Sequence, residues 1–171
     1  LLLKVQSLSY GHSAVQLETA QRLIDFYNND VLPVIYTQGS LGASGDLAPL
    51  AHLALPLIGK GEVYFNDEIC DSQRALDSFS WKPIELKSKE GLALLNGTQF
   101  MSAYGVWNIM QAEKMSMVAD MIACVSIDGF DARINPFNEN VNGIRNQVGQ
   151  IITAQMIREL IKGSEISEQE K

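Results

Sequence analysis

Residues 97–130, GTQFMSAYGVWNIMQAEKMSMVADMIACVSIDGF, make a run of helical length that is apolar around most of its circumference. Charge is confined to Glu113, Lys114, Asp120 and Asp128. A helix greasy on every side cannot lie on the surface of a small globule; it has to be buried among other helices, those of other subunits included. Met101, Met110, Met115, Met117 and Met121 recur along it at nearly helical spacing. Core packing explains them more simply than a flexible ligand groove does. This segment makes the architecture mainly α, and the other elements read as what accompanies it.

Upstream, HSAVQLETAQRLIDFYNND is an amphipathic helix. Ser13 is placed to cap it, Gln16 completes a capping box, and Val15, Leu23, Phe26 and Tyr27 share one face. The run Asn28-Asn29-Asp30 stops it. VLPVIY is short, apolar and extended, and Pro33 excludes a central position in a sheet. DLAPLAHLALPLIG has helical length, with Asp46 as N-cap, Pro49 in the tolerated first turn, and Gly59 as terminator. Pro56 should end or kink it early. EVYFNDEIC alternates Val63, Phe65 and Ile69 about an Asn-Asp turn, which predicts one small β-hairpin. SQRALDSFSW reads as a short helix and PIELK as an extended piece. NQVGQIITAQMIRELIKGSEISEQEK reads as an amphipathic helix running into a polar tail.

The 171 residues are 46% hydrophobic, enough for a real core in one compact domain or in a piece of something larger. A formal charge of -7 argues against nucleic acid, which demands a basic face. Cys70 and Cys124 each lie in an apolar run and read as buried free thiols of a reducing, cytoplasmic setting. No stretch reaches about 18 uninterrupted apolar residues, so no membrane span is expected. LLLKVQSLSYGHS, at the start, has neither an initiator Met nor the charge pattern of a signal peptide, and the chain is expected to be an internal piece of a longer one.

The stretch with most chemical content is TQGSLGASGDLAPL, residues 37–50. Gly39, Gly42 and Gly45 feed directly into a helix start, a combination suited to anions. The spacing is GxxGxxG, however, rather than the dinucleotide GxGxxG, and no Lys-Ser or Lys-Thr follows to make a P-loop. A serine nucleophile at Ser44 lacks a base, because His52 lies about two turns along the helix and ASGDL is not the GxSxG elbow. His12 and His52, the two histidines, have no partners at metal-ligand spacing, so no metal is expected and each reads as a structural histidine. A plain loop remains open. So does a third reading, in which the backbone itself is the reagent. Attack of the Gly45 amide nitrogen on the Ala43 carbonyl carbon closes a five-membered ring. Loss of one water there and of a second, from the Ser44 hydroxyl, leaves an imidazolone with an exocyclic methylene. Glycine is the least hindered nucleophile and reaches dihedrals other residues avoid. Alanine is small, and serine carries a β-leaving group.

GSLGASGDLAPLAHLALPLIGKGEV resembles the signature of the histidine and aromatic amino-acid ammonia-lyases, whose Ala-Ser-Gly becomes the methylidene-imidazolone (MIO) prosthetic group. KEGLALLNGTQ, residues 89–99, is similar to that family's segment around an active-site asparagine. LLLKVQSLSYGHSAVQ before and FDARINPFNENVNGIRNQVGQ after resemble its flanking stretches in order, so the resemblance covers most of the chain.

The resemblance implies a helical-bundle core fragment of the ammonia-lyase fold, with the small hairpin attached. It makes residues 1–171 a partial lyase domain that carries the loop 37–50 and central-bundle helices. Ala43, Ser44 and Gly45 would form the MIO, with Gly42 in support, and Asn96 would hydrogen-bond and polarise the ring. Asp46 would order the helix start and take part in cyclisation. Gln99, in NGTQ, is more like histidine lyases than the NGTS or NGTA of aromatic ones. The implied reaction is elimination of ammonia from L-histidine to give trans-urocanate, by a cytoplasmic homotetramer whose partner is a small amino acid. A phenylalanine or tyrosine ammonia-lyase or an aminomutase is the neighbouring reading. A non-catalytic helical interaction module is the reading from another class. Three departures stand out: Ser13-Ala14 where the family commonly has Ser-Gly, RNQVGQ (with Arg145, Gly149 and Gln150) without the His-containing form, and the lack of the family's tyrosine loop and arginine motif. The 171 residues alone are therefore expected to be inactive.

Overall fold

The structure, a computed structural model, describes residues 1–42 and 45–167, and the fold divides into two units, Leu1–Gly105 and Val106–Lys171. In the first unit helices α1 (Leu2–Ser9) and α2 (Leu17–Asn28) precede a short strand, β1 (Leu32–Pro33). After the glycine loop come α3 (Leu47–Ala54), a 3₁₀ turn (Leu55–Ile58), and strands β2 (Glu62–Phe65) and β3 (Glu68–Asp71). Helices α4 (Ser72–Ser78) and α5 (Glu90–Leu95) follow, and the long helix α6 (Gln99–Gly129) begins in this unit.

Local chemistry accounts for most of these boundaries. Pro49 sits in the first turn of α3, where an amide would have no partner. At Pro56 the α-helix gives way to the 3₁₀ turn, and Gly59 closes it with φ +71°. Asn66 and Asp67 both take positive φ (52° and 63°), as a two-residue type I′ hairpin requires, and set Phe65 opposite Glu68. Val63 and Phe65 face the core while Tyr64 faces out. The hairpin expected from the sequence gains a third, antiparallel strand, because β1 pairs Leu32 with Tyr64 and Pro33 with Val63. Pro33 thus lies on an edge, the place open to a residue with no amide to donate.

Leu23, Phe26, Val31, Leu57, Val63, Leu76 and Leu94 form the centre of this unit, walled by the Phe79 and Trp81 rings stacked 4.3 Å apart. The Arg22 guanidinium lies 5.2 Å from the Trp81 ring and donates to Lys82 O at 2.9 Å. Three differences from the sequence reading stand out here. Helix α1 was not legible, since Leu1-Leu2-Leu3 has no helical periodicity. Helix α2 begins at Leu17, so Ser13 does not cap it; Gln16 holds that position, and its amide donates to Glu90 Oε1 at 2.7 Å. A carboxylate distant in sequence replaces the local capping box. Tyr27, expected on the buried face, is exposed.

The second unit holds the remainder of α6, a 3₁₀ turn (Asn135–Phe137), α7 (Glu139–Gly143) and α8 (Val148–Ile161). Buried Asn142 donates to Pro136 O and Asn138 O at 2.9 Å and accepts from Gln150 at 2.8 Å. Arg158 donates to Phe137 O at 2.6 Å, and the Ser164 hydroxyl meets the Asp128 carboxylate. The length of α6 matches the sequence reading, but its burial does not: Cys124 is its one buried residue among those described. Met101, Met110, Met115, Met117 and Met121 are all half-exposed rather than core. An all-round apolar helix needs neighbours on every side, and this chain covers only part of it. Cys124 is buried as expected, whereas Cys70 is only partly so.

Ala14 takes φ +54°, the left-handed region that a Cβ disfavours. Ala14→Gly is expected to stabilise the chain by about 1 kcal/mol, read as a higher urea midpoint at unchanged m-value.

Candidate active site

Two chain segments meet in front of α3 and α6. The glycine loop leads into α3, and Asn96-Gly97-Thr98 leads from α5 into α6. Gly45, at φ +86°, approaches the second segment so closely that a Cβ there would lie 2.7 Å from Gly97 O and 3.0 Å from Gly97 N. Both contacts are backbone, so neither can yield by a rotamer change. Gly97, at φ +133°, occupies a region that only glycine enters readily, and a Cβ on it would run into the Gln99 side chain. Gly39 (φ +109°) and Gly42 (φ +72°) bend the loop on its way in. At Gly42 a Cβ would meet Asp46 Oδ1 at an ordinary 3.5 Å, so the dihedral, not the space, requires glycine there. Ala43 and Ser44 lie outside the described residues.

Asp46 precedes α3, as the sequence predicts, but its carboxylate caps nothing. The cause is local. Leu47 N bonds to Gly45 O at 3.0 Å across Asp46, whose φ −82° and ψ 77° are those of an inverse γ-turn. That dihedral pair turns the side chain away from the helix amides. Asp46 Oδ1 instead accepts from the Ser40 hydroxyl at 3.2 Å, and Oδ2 is buried with no partner among the described residues. The Gln99 Oε1 atom, at the start of α6, is likewise buried and unpartnered. Gln99 stands between two cavities, an apolar one of about 350 Å³ with Leu50, Leu53 and Phe100, and a polar one of about 190 Å³ with Gln6, Tyr10, Thr98 and Ser102.

Asn96 ends α5 with an exposed side chain, and its Nδ2 donates to Leu92 O at 2.8 Å. A carboxamide has two N–H groups and an acceptor oxygen, so this bond leaves one donor and the oxygen for a ligand. The Asn96 carbonyl accepts from Lys4 Nζ at 2.7 Å, and the same ammonium reaches Ala93 O at 3.3 Å. Lys4 is 1% exposed, and burial pulls its pKa down to about 8. Sequence reasoning passed over Lys4. The available signal was one charge in the otherwise apolar run LLLKV, on what proves to be a helix.

Helix α5 has six residues and is held at both ends from outside. At its start buried Glu90 accepts from Gln16 N (2.7 Å), Gln16 Nε2 (2.6 Å), Thr19 Oγ1 (2.8 Å) and Lys87 N (2.6 Å). Burial pushes the Glu90 carboxyl up, but these donors, the Lys87 and Gln16 amides first, outweigh it and hold the group below its ordinary 4.5. Its end rests on Lys4.

The Gly45–Gly97 contact brings together the first turns of α3 and α6, each starting two residues later. The positive ends of both helix dipoles therefore favour negative charge at this point, with donors from the start of α6 and from Ala48 of α3, where Leu47 N is bonded to Gly45 O and Pro49 has no N–H. Bases are scarce. His52 Nδ1 accepts from the Tyr36 amide at 3.4 Å and its ring meets that of Tyr36 edge-on, so it is structural as expected. His12, by contrast, is exposed rather than held. Among the described residues no helix is long and apolar enough to cross a membrane.

The family model for aromatic amino acid lyases matches residues 1–171. The chain is 43% identical over 166 residues to a histidine ammonia-lyase of Caldanaerobacter subterraneus subsp. tengcongensis, covering 97% of this chain and 33% of that one. Its backbone is similar to that of ergothionase, an ergothioneine-degrading enzyme of Treponema denticola (TM-score 0.93, 31% identity, 99% of this chain and 34% of that one). It is also similar to a tyrosine aminomutase of Streptomyces globisporus (TM-score 0.86, 35% identity, 96% and 31%). The chain thus spans about a third of the length of the proteins it matches.

Because Glu90 titrates below its unfolded value, its stabilisation is present above pH 4.5 and is lost as pH falls below that. Glu90→Gln should cost about 1.5–3 kcal/mol at neutral pH. The gap between variant and wild type, followed by urea unfolding, should narrow steadily in acid below pH 4.5.

Proposed function

The chain belongs to the aromatic amino acid lyase family, and from that premise we propose that the whole protein eliminates ammonia from L-histidine to give trans-urocanate. The observation that carries this reading is the seat of Gly45. The atom asked to attack a neighbouring carbonyl belongs to a residue pressed onto backbone with no space for a Cβ, in a left-handed conformation. An MIO ring carries no N–H of its own, and Asn96 Nδ2 keeps one N–H to donate to it, while buried Asp46 Oδ2 and Gln99 Oε1, without a partner among the described residues, suit the ammonium of a substrate. The residues present therefore fit an MIO. Closed from Ala43, Ser44 and Gly45, the ring would supply an electrophilic methylene, a sink for electrons that no natural side chain offers.

This chain's own residues would hold and orient. Asn96 has one amide N–H and its oxygen left to engage the ring or the substrate. The first turns of α3 and α6 would steady negative charge on the ring or on the amino-acid carboxylate. Asp46 and Gly42 shape the loop, and Gln99 lines the polar cavity, where its amide would meet a polar substrate side chain. The histidine preference rests on Gln99 and on the identity to a histidine ammonia-lyase. Apolar surface left uncovered along α6 supports a homotetramer, and free Cys70 and Cys124 support a cytoplasmic setting. His52 is engaged by the Tyr36 amide, and the chain spans about a third of the length of its relatives, which supports inactivity of the 171 residues by themselves.

The whole protein should weigh two waters less than its sequence, and Ser44→Ala should restore the full mass and abolish turnover. Histidine should release urocanate, followed by its ultraviolet absorbance. An undiminished wild-type mass rejects the MIO reading, and turnover of phenylalanine, tyrosine or ergothioneine in place of histidine rejects the substrate. Urocanate released by the purified 171-residue chain rejects the claim that it is inactive alone.

A further inference from the structure

The peptide that joins Asn96 to Gly97 is gripped from one side and used from the other. Its oxygen accepts from Lys4 Nζ at 2.7 Å, and its nitrogen is one of the three Gly97 backbone atoms closest to where a Cβ on Gly45 would lie, the nearest being Gly97 O of the next peptide. Its other hold among the described residues is local, through Asn96 Nδ2, which donates to Leu92 O at 2.8 Å. Asn96 is extended (φ −96°, ψ 146°), Gly97 at φ +133° has glycine's freedom, and the bond from Asn96 N to Leu92 O is a long 3.3 Å. We propose that Lys4 is a positioning residue for ring closure, fixing the Asn96–Gly97 peptide as part of the wall against which Gly45 is seated. The inference rests on the MIO reading above and adds to it the residue that holds the wall.

A purely structural role accounts poorly for a lysine here. Lys4 is 1% exposed, its ammonium has carbonyl oxygens as partners, and no carboxylate lies within ion-pair distance among the described residues. An ammonium buried in this way is costly, and an unbranched apolar side chain of similar length fills the same space without that cost. Methionine would serve the packing as well or better. What methionine cannot do is hold a carbonyl. The two carbonyls held, Ala93 O and Asn96 O, belong to the last turn of α5 and its cap, where a cation meets the negative end of the helix. Asn96 carries its carboxamide on the same residue, so one ammonium sets both the wall behind Gly45 and the origin of the Asn96 side chain.

Closure needs no outside reagent. The Gly45 nitrogen bonds to the Ala43 carbonyl carbon, and that oxygen departs as water with hydrogens from the Gly45 and Ser44 nitrogens. The Ser44 hydroxyl departs as a second water with the Ser44 α-hydrogen. Geometry is then the main thing the surroundings contribute, and a misplacement of about 1 Å can cost on the order of a hundredfold in rate.

The test uses the whole protein with Lys4→Met and Lys4→Arg. Intact mass gives the fraction lacking two waters, thermal melting reports folding, and kcat and KM for histidine are measured per total subunit. Lys4→Met should melt no lower than wild type yet carry a reduced two-water fraction. Its kcat should be down on the order of tenfold or more with KM little changed. Lys4→Arg, which keeps the donors, should restore both. A folded Lys4→Met with the complete mass deficit and wild-type kcat overturns the proposal. If Lys4→Met is insoluble, Lys4→Gln takes its place, since its shorter amide cannot reach both carbonyls: full closure at the wild-type rate overturns the proposal, and a lowered fraction supports it. A wild-type protein with no mass deficit is a separate outcome, and it sinks the MIO reading itself.

Discussion

Helix α5 is too short to hold itself. A peptide of six residues does not pay back the entropy of helix nucleation in water, so its position is decided by what grips its ends. Two buried charges do this. Glu90 gathers donors from the start of α2 and from Lys87, and Lys4 of α1 takes the carbonyls at the far end. An anion at the start of a helix and a cation at its end are also the signs its dipole favours. The segment that follows, Asn96-Gly97, inherits its place from this clamp, and Gly45 inherits its place from Gly97. The candidate site is thus the last link of a chain that begins in the packing of α1 and α2.

Legibility from the sequence followed the range of the forces involved. The Asn66-Asp67 hairpin and the proline and glycine punctuation of α3 were legible because each is decided within a few residues. The start of α2 was not, because Glu90 rather than Ser13 satisfies its first amides. Helix α6 was legible in length and misread in burial: periodicity reports that a surface is apolar, not what covers it. At the site, Gly45 and Asn96 were named separately from motif resemblance, but their meeting is a tertiary fact that spacing does not contain. Asp46 occupies the expected position with an unexpected turn beneath it, since the Gly45-to-Leu47 bond competes with the cap. Lys4 escaped notice because a single lysine carries no pattern.

The scaffold and the substrate are separable. The same backbone path occurs in an ergothionase and in a tyrosine aminomutase, whose names point to different small molecules. Such folds carry function in a few side chains on a shared frame. In this chain the frame is mostly backbone and buried polar contact, whereas the polar cavity lined by Gln6, Tyr10 and Ser102 is where side-chain chemistry can vary.

The Gly45–Gly97 contact has a bearing on how such a site can change over generations. Side-chain contacts drift in pairs, a larger residue here answered by a smaller one there. At Gly45 no such second step exists, because a Cβ would meet Gly97 backbone atoms that are the same whatever residue is encoded, and at Gly97 the φ of +133° itself disfavours any side chain. Heritable variation can therefore enter freely around this point, in the polar cavity or along the exposed face of α6, and still meet a closed door at two positions. Innovation in this architecture has to come from what surrounds the pair.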